Sequence, residues 1–275
     1  MFHAISRHPS TQLLTTRFLM LGAMLCLAVA AAAQPAFADE GTNDSCAGLP
    51  SHHQLETALV SARDQHNGGF NLDMWGTIVN RDGIVCQVAF TGTNRGSQWP
   101  GSRAISAQKA NTANAFSLPG LALSTANLYA AVQPGGTLYG LQASNPVDTS
   151  VAYRGPASHF GQSDDPMIGE RIGGVNVFGG GLALYNSKGV LIGAIGVSGD
   201  TSCADHNIAW RTRHSLNLDF VTAGVSLKGD DNINYQGLLP VPSLANDFSQ
   251  PICKIAGVDG VSAISAALPP IQVVK

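Results

Sequence analysis

The chain contains few charged residues and no basic patch. Asp, Glu, Lys and Arg make up 12% of the residues, and the formal net charge is −3 at pH 7. Nucleic-acid-binding domains normally carry a basic face, so nucleic acid is not expected as a partner. Internal repeats of about 20 to 50 residues are also absent, which excludes a solenoid or propeller.

Long apolar runs are missing except at the start of the chain. Residues 18–33 contain no charge, Arg7 and Arg17 precede them, and an Ala-Phe-Ala site follows. This pattern is typical of a secretory signal peptide, so residues 1–38 are predicted to be removed by cleavage after Ala38. An uncleaved anchor is the alternative, but the run is short for a membrane span. The mature protein is expected to be periplasmic or secreted, with no membrane segment.

The sequence has no C-x-x-C pair, so a zinc site is not expected. Beyond the predicted signal peptide, four cysteines remain: Cys46, Cys86, Cys203 and Cys253. An even number of cysteines in an exported protein predicts two disulfides. The sequence leaves all three pairings open, and reduced, buried cysteines are the alternative.

Hydrophobic periodicity and turn residues predict an alternation of helices and hairpins. The predicted elements are a helix opening with a capping box at Ser51 and Gln54, strands 74–80 and 84–91, a helix over 102–117, strands 173–185 and 190–198, and a helix from Cys203 to about Leu216. Turn signals at 81–83 and 186–189 join the strands into hairpins. Paired hairpins exclude a Rossmann pattern and predict an α+β domain on one antiparallel sheet.

The predicted domain covers residues 49–235, between a short lead at 39–48 and a proline-rich, weakly ordered tail at 236–275. Within it, residues 120–170 form an irregular insertion of a length that is usually functional or an oligomer contact. Gly193 and Gly196 interrupt the apolar strand 190–198, which predicts close contact with a helix backbone or a flat ligand. In strand 84–91, alternation places Cys86 and Val88 on one face.

The densest polar cluster is "AIGVSGDTSCADHNIAW" at residues 194–210. Its G-V-S-G-D stretch departs from the G-x-S-x-G nucleophile elbow at the last position, and it follows an antiparallel strand, so a serine hydrolase is disfavoured. A tight strand-to-helix connection, with Ser202 or Asp200 as helix cap, is favoured instead. No catalytic set is predicted from these residues.

Histidines are the candidate iron ligands. His206 and His214 share a helix face with Trp210, but they lie about 12 Å apart along the axis and cannot hold one metal ion together. His52 and His53 are adjacent and point to different sides of a helix. Either could be an axial haem ligand, because haem needs one donor and an apolar slot, or a surface residue.

Three stretches resemble the haem-binding GlcG/HbpS-like family. "SRAISAQKANTANAF" at 102–116 is similar to the family's A-x-x-K-A-x-T-A-x-x-F helix. "GGGLALYNSKGVLIGAIGVSGD" at 179–200 is similar to its glycine-rich hairpin ending in G-A-I-G-V-S-G, and "ADHNIAW" at 204–210 to its D-x-x-x-A helix start. The resemblance covers about residues 51–216, and the insertion, the four cysteines, the tail and "GLAL" at 181–184 depart from it.

The resemblance implies a profilin-like α-β-α domain that forms a homo-oligomer and binds haem or another small flat ligand. For a few members it also implies haem and iron handling or redox sensing. The candidate contacts it suggests are His52 or His53, Thr112 and Lys109, with His206 bordering the slot. A non-catalytic oligomeric interaction module, or an enzyme of unknown substrate, is the alternative.

The resemblance also favours one disulfide pairing. In such a fold the first helix runs back along the first strand, which brings Cys46 toward Cys86. Cys203 would then pair with Cys253 and tie the tail to the last predicted helix.

Overall fold

The computed structural model describes residues 45–238, 247–254 and 260–274. The predicted signal peptide, its cleavage site at Ala38 and residues 39–44 of the predicted lead lie outside the described residues. Among the residues described, no helix is both long and apolar enough to cross a membrane.

The elements follow the order predicted from the sequence. They are α1 (His52–Arg63), β1 (Trp75–Asn80), β2 (Val85–Phe90), α2 (Ser102–Phe116), α3 (Tyr129–Val132), α4 (Leu141–Ser144), α5 (Thr149–Ala152), a 3₁₀ turn (Ala157–His159), β3 (Gly181–Tyr185), β4 (Leu191–Ser198), α6 (Ser202–Ser215) and α7 (Val261–Ala266). The capping box of Ser51 and Gln54 opens α1 as predicted. β3 is shorter than the predicted strand because Gly173, Gly174 and Gly180 adopt positive φ angles, which interrupt an extended chain.

One antiparallel sheet with the strand order β2-β1-β4-β3 forms the centre of the domain. Both predicted hairpins are present, and β4 lies between β1 and β3, which explains its apolar composition. α1 and α6 pack on one face through a core that includes Leu55, Ile195 and Ala209. α2 packs on the other face against Val79 and Ala194. The predicted α+β class with helices on both faces of a single sheet is confirmed.

Gly196 allows the α2 backbone to reach the sheet. A Cβ atom at this position would overlap the carbonyl oxygen of Ser106 and lie 2.5 Å from the backbone nitrogen of Ala110. The close contact predicted here is therefore made by a helix backbone. Gly193 differs, since a Cβ there would meet the carbonyl oxygen of Val79 on the neighbouring strand.

A β-bulge changes the predicted faces of β2. The register shifts between Ile78 and Val79 of β1, which leaves Cys86 as the extra residue on β2. Cys86 therefore packs in the core on the α1 side, whereas Val88 packs on the α2 side. The prediction that the two share a face is wrong for this reason.

The disulfides pair as the resemblance suggested. Cys46 bonds Cys86 with their Cα atoms 5.7 Å apart, and Cys203 bonds Cys253 with a Cα separation of 6.0 Å. The bulge supports the first bond, because it turns Cys86 toward the face on which Cys46 packs.

The insertion pairs with the start of the edge strand β2. The amide of Val85 donates to the carbonyl of Glu170, and the amide of Gly169 donates to the carbonyl of Val85. The buried ion pair of Arg103 and Asp165 fastens the insertion to α2. At Val85 the segment thus supplies partners for both backbone groups of the edge strand, which would otherwise be unpaired.

The described parts of the predicted tail pack on α6. Cys253 is bonded to Cys203 at the start of that helix, and the indole nitrogen of Trp210 donates to the carbonyl of Pro269 at 2.8 Å. Residues 239–246, 255–259 and 275 of the tail lie outside the described residues.

Gly196→Ala tests the contact between α2 and the sheet. The added methyl group has no space against the α2 backbone, so we expect the free energy of unfolding to fall by about 3 kcal/mol. Urea unfolding measures this change. Gly120→Ala is the matched control, because a Cβ atom there meets nothing within 4 Å, and it should change stability by less than about 0.5 kcal/mol. Equal stability of the two variants would contradict the packing described.

Candidate functional site

The polar cluster between β4 and α6 is a structural junction. The Thr201 hydroxyl accepts the amide of Ala204 at 3.3 Å, so Thr201 caps α6, and the predicted caps Ser202 and Asp200 do not. The Asp200 carboxylate instead accepts the amides of Phe70 at 2.9 Å and Leu72 at 3.1 Å. Asp200 therefore anchors the connection between α1 and β1 to the start of α6.

Lys109 and Asp205 form a buried ion pair beside this junction. The Lys109 ammonium donates to Asp205 Oδ2 at 2.7 Å and to the carbonyl of Val197 at 3.0 Å. Asp205 Oδ1 accepts the amides of Gly199 at 3.1 Å and Asp200 at 2.8 Å. Burial raises the pKa of Asp205 to about 6 and lowers the pKa of Lys109. The candidate contact Lys109 is thus engaged inside the protein.

Thr112 and His206 are also buried. The Thr112 hydroxyl donates to the carbonyl of Gln108 at 2.7 Å and accepts the amide of Asn176 at 2.9 Å. His206 packs 6.1 Å from the Trp210 ring, and burial lowers its pKa to about 3, so its imidazole is neutral. Neither ring nitrogen of His206 forms a hydrogen bond of normal geometry with the described residues, although Asn232 lies near.

A second buried ion pair joins Arg213 and Asp231. The guanidinium donates to both Asp231 oxygens at 2.7 Å and to the carbonyl of Ala183 at 2.9 Å, and it lies 4.9 Å from the Trp210 ring. It ties the end of α6 to the loop before the tail. No local sequence pattern links the two residues, so this pair could not be predicted from the sequence.

His52 and His53 point to different sides of α1, as predicted. The Nε2 atom of His52 lies 2.9 Å from the carbonyl oxygen of Gly161, to which it donates when protonated at that nitrogen. His53 is exposed and lines a cleft of about 570 Å³ between the start of α1 and the end of α6. Apolar side chains in that cleft, which we call the α1–α6 cleft, include Leu49, Pro50 and Leu216.

A second cavity of about 480 Å³, which we call the aromatic slot, lies at the start of α2. Its lining consists of Trp75, Asn94, Arg95, Gly96, Pro100, Gly101, Tyr153, Ala157 and Phe160. Three aromatic rings from β1 and the insertion form its walls. The residues of this cavity come from separate segments and share no motif, so the cavity could not be predicted from the sequence.

A metal centre built by the protein alone is not found in the part of the chain that the structure describes. Within 45–238, 247–254 and 260–274, no group of three or more His, Cys, Asp or Glu residues could hold a metal ion.

Comparisons with known proteins give a family match and several similar structures. The model of a family described as haem-degrading, HbpS-like proteins matches residues 53–213. No curated protein matches significantly.

The similar structures include PduOC in complex with haem, at 26% identity and a TM-score of 0.42, covering 60% of this chain and 91% of that one. ORFY of Klebsiella pneumoniae is similar at 23% identity and a TM-score of 0.40, and the match covers 61% of this chain and 90% of that one. A double mutant of HbpS from Streptomyces reticuli is similar at 16% identity and a TM-score of 0.36, and the match covers 75% of this chain and 97% of that one.

Lys109→Met tests the buried pair and has a predicted pH dependence. The pKa of Asp205 is raised from 3.8 to about 6, so the folded state binds the proton more tightly than the unfolded chain. Stability due to this group therefore falls as the pH rises through that window. Loss of the ammonium raises the pKa further, so we expect a loss of about 3 to 5 kcal/mol at pH 8 and a smaller loss at pH 5.

Urea unfolding at the two pH values measures the effect. The control is the double variant Lys109→Met with Asp205→Asn, which removes both charges. Its free energy of unfolding should fall by less than that of Lys109→Met, and this site should contribute no pH dependence to its stability. A loss for Lys109→Met that is the same at both pH values would show that the carboxylate is not held by this pair.

Proposed function

The chain belongs to the HbpS-like family, whose model spans more than half of it, and we propose that the protein binds haem and acts in haem or iron handling. Family membership is the observation that carries this proposal. Bound haem would supply a redox-active iron, so redox sensing is a finer form of the same proposal. The two disulfides and the predicted signal peptide support an exported protein.

The α1–α6 cleft fits haem best among the sites described. Haem binding requires an apolar surface for the macrocycle and one suitable axial donor. The cleft combines the exposed imidazole of His53 with Leu49, Pro50, Leu216 and Leu218, and its volume of about 570 Å³ lies within the range of small-molecule sites. His53 makes no hydrogen bond with the described residues, so its ring nitrogens are available to iron.

The remaining candidates are less suited to direct contact. His52 uses Nε2 in its interaction with Gly161. Lys109, Thr112 and His206 would reach a ligand only if their buried surroundings opened. We propose that these three position α2 and α6 and do not touch haem. Assembly into a homo-oligomer belongs to the same proposal, and light scattering of the purified chain measures it.

Hemin titration of the mature chain tests this function. We expect a saturable shift of the Soret band at about one equivalent, because a single imidazole faces the cleft. His53→Ala should weaken binding by about tenfold or more, since the axial donor is lost. His52→Ala is the matched control on the opposite side of α1 and should change the affinity by less than about twofold.

The outcomes separate the function from the site. Absence of a saturable shift in the wild-type protein would contradict haem binding. A shift that His53→Ala leaves unchanged would retain haem binding and reject the α1–α6 cleft as its location.

A further inference from the structure

Phe160, which forms one wall of the aromatic slot, packs against a buried ion pair. The Arg103 guanidinium lies 3.6 Å from the centre of the Phe160 ring. Arg103 donates to both oxygens of Asp165, with Nε 2.8 Å from Oδ2, and the same Oδ2 accepts the amide of Gly161 at 2.7 Å. Both charged side chains are at most 3% exposed. Phe160 is thus fixed in place before any ligand arrives, which lowers the entropic cost of binding.

The floor of the slot is an aromatic ring whose polar atom is already engaged. The indole nitrogen of Trp75 donates to the carbonyl of Trp99 at 3.1 Å, and its ring meets Phe90 edge-on with centroids 5.3 Å apart. Gly161 packs directly on these rings at a φ of 79°, where a Cβ atom would overlap Phe90. Trp75 is only 1% exposed, so it closes the bottom of the slot as a buried apolar ring, and the rings open to a ligand are those of Phe160 and Tyr153.

The electrostatics of the rim favour an anion. Arg95 is the charged residue of the lining, which contains no Asp or Glu. Its exposed guanidinium makes no ion pair or hydrogen bond with the described residues. The slot also borders the start of α2, whose first amides already donate to the carbonyls of Trp99 and Pro100, so the positive charge at the rim comes from Arg95.

We propose that the aromatic slot binds a flat aromatic carboxylate of one or two fused rings, at a site separate from the α1–α6 cleft. The ring would pack between Phe160 and Tyr153, over the buried Trp75, and the carboxylate would meet Arg95. The cavity of about 480 Å³ matches a small molecule of this class. Its lining contains no imidazole that could ligate haem iron. The ligand proposed here is therefore an organic molecule without a metal.

Titration with 2-naphthoate, followed by tryptophan fluorescence and calorimetry, tests the proposal. We expect saturable one-to-one binding. Ala157→Trp fills the slot from an exposed position and should abolish binding, while circular dichroism confirms the fold. Arg95→Gln should weaken 2-naphthoate binding by about threefold to tenfold and leave the neutral probe 2-naphthylmethanol unaffected. Lys188→Gln, in the turn between β3 and β4, is the matched charge control and should change neither affinity.

A crossed experiment with hemin separates this site from the proposed function. Ala157→Trp should leave hemin binding intact, and His53→Ala should leave 2-naphthoate binding intact. The proposal is overturned if wild type shows no saturable 2-naphthoate binding up to about 5 mM. It is equally overturned if Ala157→Trp or Arg95→Gln leaves the 2-naphthoate affinity unchanged. Loss of hemin binding in Ala157→Trp would also overturn it, because the slot would then be the haem site.

Discussion

The ion pair between Lys109 and Asp205 joins the two helical layers that the sheet separates. Lys109 comes from α2 on one face, and Asp205 from α6 on the other. Asp205 also accepts two amides at the end of β4, so a single carboxylate fixes the strand, the turn and the helix that follows it. A buried pair of this kind is costly to break, because either partner alone would be an uncompensated charge. The polar cluster around it therefore serves the fold.

The two candidate ligand sites lie on either side of α1. The α1–α6 cleft opens on the side of His53, where the start of α1 meets the end of α6. The aromatic slot lies beyond His52, which reaches Gly161 in the insertion. The insertion accounts for this second cavity, because it supplies Tyr153, Ala157 and Phe160 while it pairs with the start of β2. One core thus carries two separate cavities, and the second depends on residues 153–160 of the insertion.

Features determined by neighbouring residues could be predicted from the sequence. The capping box at Ser51, both hairpins and the close approach at Gly196 follow from local periodicity and residue type. Features determined by distant residues could not. The bulge at Cys86 depends on how β1 pairs with β2, and the burial of Lys109 depends on a carboxylate in another helix. The aromatic slot combines three separate segments, so no single stretch of sequence contains a signal for it.

The central claim is that haem binds in the α1–α6 cleft through His53. The most direct test is a crystal structure of the mature chain with hemin, in which anomalous scattering locates the iron. The account predicts iron within bonding distance of the His53 imidazole, with the macrocycle against Leu49 and Leu216. Iron in the aromatic slot, or bound to another residue, would contradict it.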